Sequence, residues 1–314
     1  MIGVVGAGAF GTALASAWGV AGRDVILWGR DPDAMETAGR TRRTPRLPDA
    51  TLPERVHITA DPNALMDLPL LVLAVPMQAL APTLAALPIL RPEVAVAACK
   101  GLELASLRGP TAVLRDALPG TRAGILSGPS FAADIARGLP TALTLALPES
   151  EPVQERLSTP RLRLYRTDDI AGVELGGALK NVVAIACGAA IGAGLGESAR
   201  AALMTRGMAE MMRLAEALGA RRDTLMGLSG LGDLALTCAS PGSRNFALGA
   251  ALGRGAAPPD ATTEGVATAQ AALELAARHA IDLPVVATTA ALVDGRLTVK
   301  DAVDALLTRD LREE

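Results

Sequence analysis

Lysine is scarce in this chain, and its scarcity makes each position informative. Lys100, Lys180 and Lys300 stand against 27 arginines, so positions that need only positive charge have gone to Arg almost everywhere. An ammonium can hand over a proton near neutrality when its surroundings perturb it, whereas a guanidinium cannot. Lys180 lies in VELGGALKNVVAIACG, a stretch almost wholly apolar after Glu174. A helix with so little polar face has no obvious use for a cation. The structural alternative is a lysine that snorkels to the surface, and the composition of the helix favours function. Lys100 follows the apolar run VAVAAC and precedes Gly101, which places it at the carboxyl end of a predicted strand, where open α/β sheets bind ligands. An ordinary loop lysine is the alternative there. The two histidines, His57 and His279, begin a predicted strand and end a predicted helix and are read as structural.

Three further groups of residues could carry chemistry. In SGPSFA, Ser127 to Ala132, Gly128 and Ser130 join a strand to a predicted helix and can offer donors to an oxyanion; Ser130 as a helix N-cap is compatible with that. Asp233 and Thr237 in GLSGLGDLALTC fall on successive helical turns, four residues apart, and so share a face. Ser243, Arg244 and Asn245 follow in a Gly-rich loop, where Arg244 has the fork geometry of a phosphate ligand or is a solvated loop arginine.

The redox partner is indicated at the start of the chain. GAGAFG directly follows the apolar run Ile2 to Val5 and opens a helical pattern over Thr12 to Ala21. In a dinucleotide fingerprint Gly6 permits the tight turn, Gly8 lets the backbone approach a pyrophosphate, and Gly11 lets helix and strand pack closely. After the second predicted strand the chain reads Trp28-Gly29-Arg30-Asp31. A carboxylate there takes the ribose 2′-hydroxyl of NAD, and an Arg accommodates the 2′-phosphate of NADP. Asp31 suits a helix cap before Pro32, which leaves Arg30 as the adenosine-side contact and favours NADP, with NAD also admissible.

The elements that must position these residues follow from the hydrophobic pattern. Short apolar runs at 2–5, 25–28, 56–59, 70–75, 94–99, 123–126, 142–147 and 162–165 alternate with helical patterns, the signature of a mainly parallel, Rossmann-type α/β sheet. Asp31-Pro32 and Asp61-Pro62 mark helix starts. From about Asp168 the strand signal stops and the chain becomes Ala- and Leu-rich, broken at Gly227 to Gly232 and Ser240 to Ser243. The expected organisation is therefore a dinucleotide-binding domain over 1–168 and an all-helical substrate and catalytic domain over 169–314. A net charge of −3 and only 2% aromatic residues argue against a nucleic-acid groove. Cys99, Cys187 and Cys238 are scattered and odd in number, as expected of reduced thiols in a cytoplasmic protein, with no zinc site or other metal. The uncharged stretch Val182 to Gly196 is too short to span a bilayer and is expected to be a buried helix.

Seven segments in this order, GAGAFGTALA, ACKGLE, SGPSFA, VELGGALKNVVAIACG, TRGMAEMMRLAEALG, GLSGLGDLALTC and SRNFALG, resemble bacterial NAD(P)-dependent glycerol-3-phosphate dehydrogenase. The resemblance spans essentially the whole chain, and its last four segments are far more specific than the glycine fingerprint. It implies hydride exchange between dihydroxyacetone phosphate and sn-glycerol 3-phosphate, supplying the backbone of phospholipids, with Lys180 as proton donor and acceptor. It further implies that Lys100, Gly128, Ser130, Lys180, Asp233, Ser243, Arg244 and Asn245 surround a small phosphorylated three-carbon substrate, assisted by Asn181 and Thr237. Ala9, Phe10, Arg30, Lys100, Ala132, Arg244 and Glu264 would contact the cofactor beside the glycines. A homodimer is the expected assembly. Two departures, VPMQAL after the fourth strand and Ala9-Phe10 where Ser or Trp is frequent, touch cofactor contacts only. The competing expectations are a β-hydroxyacid dehydrogenase or ketopantoate reductase, which shares the architecture, and a dinucleotide sensor without turnover.

Overall fold

The computed structural model describes residues 1–257 and 263–308. The chain divides into two compact units, Met1–Lys100 with Arg108–Glu174, and Gly101–Leu107 with Leu175–Glu314.

The first unit is built on eight strands: β1 (Ile2–Val5), β2 (Val25–Trp28), β3 (Val56–Thr59), β4 (Leu70–Leu73), β5 (Val94–Ala97), β6 (Arg122–Ser127), β7 (Thr141–Ala146) and β8 (Leu162–Thr167). They form one sheet in the order β3-β2-β1-β4-β5-β6-β7-β8. The first six are parallel, β7 is antiparallel to β6, and β8 is parallel to β7. Its helices are α1 (Ala9–Val20), α2 (Pro32–Thr41), α3 (Met77–Ala85), α4 (Pro110–Ala117), α5 (Ala132–Ala136) and α6 (Glu151–Leu157). The order 3-2-1-4-5-6 is that of the dinucleotide-binding fold, whose ligand crevice lies where the strand order reverses, between β1 and β4. This is the Rossmann-type architecture expected from the sequence.

The central strands IGVV, VILW, LLVL and VAVA are buried at every residue, as parallel strands covered on both faces must be. Alternate residues feed two cores: Val4, Leu27, Val72 and Val96 pack with Leu14 and Trp18 on one side, and Val5, Leu71, Leu73 and Ala97 with Leu80 and Leu114 on the other. β4 and β5 end two residues before their apolar runs do. Ala74 and Ala98 still donate backbone N–H bonds, to Val5 and Leu73 at 2.8 Å each, but the chain is then already turning off the sheet. Asp31 caps α2 by accepting from Ala34 N at 3.1 Å. Asp61 likewise accepts from Asn63 N at 2.9 Å, yet it opens only a single 3-10 turn, Pro62–Leu65, because the chain must reach β4 within five residues.

The second unit is helical: α7 (Ile170–Gly192, which begins in the first unit), α8 (Gly196–Ala217), α9 (Arg222–Leu225), α10 (Asp233–Ala239), α11 (Arg244–Gly253), α12 (Glu264–Arg278), α13 (Pro284–Val293) and α14 (Val299–Leu307). At 23 residues α7 is longer than expected, and by length and apolarity it could cross a membrane, but 89% of its most apolar stretch is buried, so it is a core helix. The glycine-rich segment before α10 does not break the helical path: Leu228–Gly232 is a π-helical turn that runs directly into it. The three cysteines are buried thiols that form no disulfide.

α7 and α11 meet backbone to backbone. A Cβ added to Gly188 or Gly192 would sit 2.1 Å from Phe246 O or 2.2 Å from Ala250 O, and one added to Gly249 or Gly253 would sit 2.0 Å from Ile185 O or 2.3 Å from Ala189 O. Glycines four apart on each helix thus occupy the crossing reciprocally, and no larger residue fits at this separation.

Glu210 of α8 ties down α13: its carboxylate accepts from Val285 N at 2.8 Å and Val286 N at 3.1 Å. Burial raises its pKa to about 7, against the pull of those two donors. The folded state therefore holds a proton that the unfolded chain releases near 4.5. Stability from this group is present in full below the unfolded value and falls as pH rises to about 7. Glu210→Gln should remove that dependence: relative to wild type its unfolding free energy should improve by about 3 kcal/mol between pH 4.5 and 8. Denaturant titrations at both pH values check this, and a pH-independent difference would show an unperturbed carboxyl.

Candidate active site

In the first unit the fingerprint glycines separate into two kinds. Gly6 has φ +114°, and a Cβ there would press on Val75 and the Ala74 backbone; a Cβ on Gly11 would lie 2.1 Å from Gly6 O. Both are glycine because the protein's own packing demands it. Gly8 is the N-cap of α1 with φ −72°, and a Cβ there meets nothing within 4 Å. The fold itself does not demand a glycine there, and the bare backbone leaves room for a ligand to approach closely. The first turn of α1 carries no acidic residue and no side-chain cap, so its N–H groups and dipole face an anion unopposed. These residues fit a dinucleotide pyrophosphate. Ala9 and Phe10 follow in that turn, and with Ala132, the first residue of α5, they are half-buried against the core beneath. Arg30 is exposed just past β2, beside an Asp31 already engaged as a cap.

At the carboxyl ends of β5 and β6, two expected side chains converge on the carbonyl of a third expected residue. Lys100 Nζ donates to Gly128 O at 3.1 Å, and Ser130 Oγ donates to the same oxygen at 3.2 Å. Gly128 has φ +145° and packs on Leu143. Ser130 is not the N-cap: α5 starts later, with Phe131 in the cap position and no side-chain cap, so the hydroxyl serves the loop instead.

In the second unit Lys180 is 7% exposed. It does not snorkel. Its Nζ donates to Asp233 Oδ1 at 2.7 Å and to Thr237 Oγ1 at 2.6 Å. Asp233 is fully buried and Thr237 nearly so, and their four-residue spacing on α10 presents both to the same ammonium. The π-helical turn that precedes them packs on α7 one turn before Lys180, where a Cβ on Gly176 would lie 2.8 Å from Ser229 O. A buried ammonium is tolerated only when a carboxylate and further acceptors replace its water. Asp233 and Thr237 do so here.

Ser243 caps α11, accepting from Phe246 N at 3.3 Å, and Arg244 stands exposed at the first helical residue. Asn245 is buried and donates to Asn181 Oδ1 at 2.9 Å, while Glu264 opens α12. The α7–α11 glycine seam therefore joins the helix that carries Lys180 and Asn181 to the helix that begins with Arg244 and Asn245. Gly188 with Gly192 and Gly249 with Gly253 do not figure among the residues expected from sequence, although the two G-x-x-x-G spacings are legible there.

Residues 1–152 match the model for the N-terminal part of NAD-dependent glycerol-3-phosphate dehydrogenase, and residues 169–304 match that for its C-terminal part. The chain belongs to this family. It is 57% identical, over the full length of both chains, to glycerol-3-phosphate dehydrogenase [NAD(P)+] of Cereibacter sphaeroides. Among solved structures, a glycerol-3-phosphate dehydrogenase of Coxiella burnetii matches with TM-score 0.93 at 35% identity, covering 98% of each chain. A ketopantoate reductase of Ralstonia eutropha matches with TM-score 0.62 at 17% identity, covering 96% of this chain and 99% of that one. The likeness to the reductase is one of fold alone. Membership in the family separates the chain from both competing expectations.

Proposed function

We propose that this protein interconverts dihydroxyacetone phosphate and sn-glycerol 3-phosphate with NAD(P), supplying glycerol phosphate for phospholipid synthesis, and that Lys180 is its proton-transferring group. The observation that carries the second part is the buried Lys180 ammonium held by Asp233 and Thr237. When bound, the nicotinamide supplies the hydride to C2 of the substrate or takes it back. Lys180 delivers a proton to the oxygen on that carbon in one direction and receives it in the other. Asp233 and Thr237 hold Nζ against rotation, so the proton is presented from one place, and Asp233 balances its charge where water cannot. Arg244 binds the phosphate as a bidentate partner, with Ser243 and Asn245 at the same helix start. Lys100, Gly128 and Ser130 complete the substrate contacts. Gly6, Gly8, Ala9, Phe10, Gly11 and Ala132 hold the dinucleotide on the first unit, with Arg30, Lys100, Arg244 and Glu264 as further contacts. The enzyme acts in the cytoplasm as a homodimer, which sedimentation of the purified protein checks.

The test is an assay of NADPH and NADH oxidation against dihydroxyacetone phosphate, unphosphorylated dihydroxyacetone, ketopantoate and a β-keto acid. Dihydroxyacetone phosphate should be reduced far faster than dihydroxyacetone, because binding energy at the remote phosphate is used at the reacting carbon. Equal turnover of the two, or preference for a carboxylate, would overturn the assignment. Arg30→Ala should weaken NADPH more than NADH, since only the former carries the 2′-phosphate. Equal losses in fluorescence titrations would make Arg30 a shared or structural contact.

A further inference from the structure

Beside Lys180 runs a chain of buried amides that has a direction. Gly265 N, at the second residue of α12, donates to Asn245 Oδ1 at 3.0 Å. Asn245 Nδ2 donates to Asn181 Oδ1 at 2.9 Å, and Asn181 Nδ2 faces Gly177 O, one turn back on α7, at 3.5 Å. Asn181 and Asn245 are 5% and 8% exposed, so protein groups and not bulk water settle their orientation.

A carboxamide oxygen only accepts and its nitrogen only donates. A backbone N–H only donates. Gly265 N–H therefore forces the oxygen of Asn245 toward itself, which turns the nitrogen of Asn245 onto Asn181. Asn181 must answer with its oxygen, and its own NH2 is left on the opposite side. One backbone N–H thus fixes the sense of two side chains on two other helices. The geometry requires glycine at its origin: a Cβ on Gly265 would stand 2.8 Å from Asn181 O, Asn245 Oδ1 and Ile185 Cδ1 alike. No larger residue allows all three contacts.

We infer that Gly265 is a positioning residue for the reaction: through Asn245 its N–H holds Asn181 so that the residue next to Lys180 presents the N–H it does not give to Gly177 O, and not its oxygen, to the substrate oxygen. This rests on the role proposed for Lys180 above. The substrate oxygen gains negative charge as hydride arrives at its carbon, and a pre-set donor stabilises that charge while an acceptor would repel it. Asn245 on this view acts through Asn181 as well as beside the phosphate.

Three variants test the relay. Gly265→Ala should lower kcat for dihydroxyacetone phosphate by about 10²-fold, the loss typical of a ~1 Å displacement at a positioned group, with KM changed far less. Asn245→Asp is nearly isosteric and still accepts from Gly265, but it cannot donate to Asn181; its kcat should fall comparably. In an Asn181→Ala background Gly265→Ala should not lower kcat further, because the group it orients is gone. Circular dichroism and thermal melting establish that each variant is folded. Wild-type kcat in folded Asn245→Asp, or losses that multiply in the Gly265→Ala/Asn181→Ala double variant, would overturn the relay. The side-chain amide resonances of Asn181 give a readout without turnover: they should shift in Gly265→Ala, and an unchanged spectrum would also overturn it. A wild-type enzyme that turned over none of the candidate substrates, with those resonances shifted as expected, would instead count against the proposed function.

Discussion

Lys180→Arg is expected to lose about 10²- to 10⁴-fold in kcat, the usual contribution of a positioned general acid, while dinucleotide binding stays nearly intact because the fingerprint glycines belong to the first unit. The substitution keeps the positive charge that Asp233 requires but cannot readily give up a proton. It is therefore cleaner than Lys180→Ala, which would also take the balancing ammonium away from the fully buried Asp233 carboxylate. Breaking a buried pair in that way costs about 3–5 kcal/mol, so loss of turnover in the Ala variant would mix chemistry with stability. Stopped-flow turnover over the pH range, with folding checked by circular dichroism, decides the matter. Near wild-type kcat in a folded Arg variant would make Lys180 an electrostatic or structural residue, and the proton would then have to come from Lys100 or from a water held by Asp233.

Gly249→Val is expected to be the most damaging change remote from the chemistry. Its Cβ would stand 2.0 Å from Ile185 O, a backbone atom that no rotamer change can move aside. α7 and α11 would have to separate along their whole crossing, and overpacking of this kind costs about 3 kcal/mol or more. The second unit should melt about 10 °C lower. Turnover should fall with it, because the seam sets Lys180 and Asn181 against the start of α11. Gly249→Ala should show the same defects in milder form. A Val variant with unchanged melting temperature and kcat would mean that the crossing yields easily and does not position the site.

The sheet was legible in the sequence because its strands are short apolar runs buried on both faces, so the pattern needs no knowledge of neighbours. The glycine fingerprint was legible for a related reason: a tight turn, an anion and a helix start meet within six residues, and local sterics suffice to read them. Lys180 could be singled out by its rarity and its apolar surroundings, and Asp233 and Thr237 by their shared helical face. Each of these is a property of one element. What only the tertiary structure decided is what those elements do to each other. Nothing in the spacing of Asp233 and Lys180, 53 residues apart, fixes the 2.7 Å contact between them. The same holds for the glycine seam, where two ordinary G-x-x-x-G spacings gain meaning only when the helices cross backbone to backbone. Ser130 shows the reverse case: its type suited a cap, and the fold gave its hydroxyl to Gly128 because the helix begins two residues later. Sequence supplies the chemical groups and their local geometry; the distances at which distant groups meet are set by packing, since burial leaves few polar groups without a partner and those of Lys180, Glu210 and Asn245 come from elsewhere in the chain.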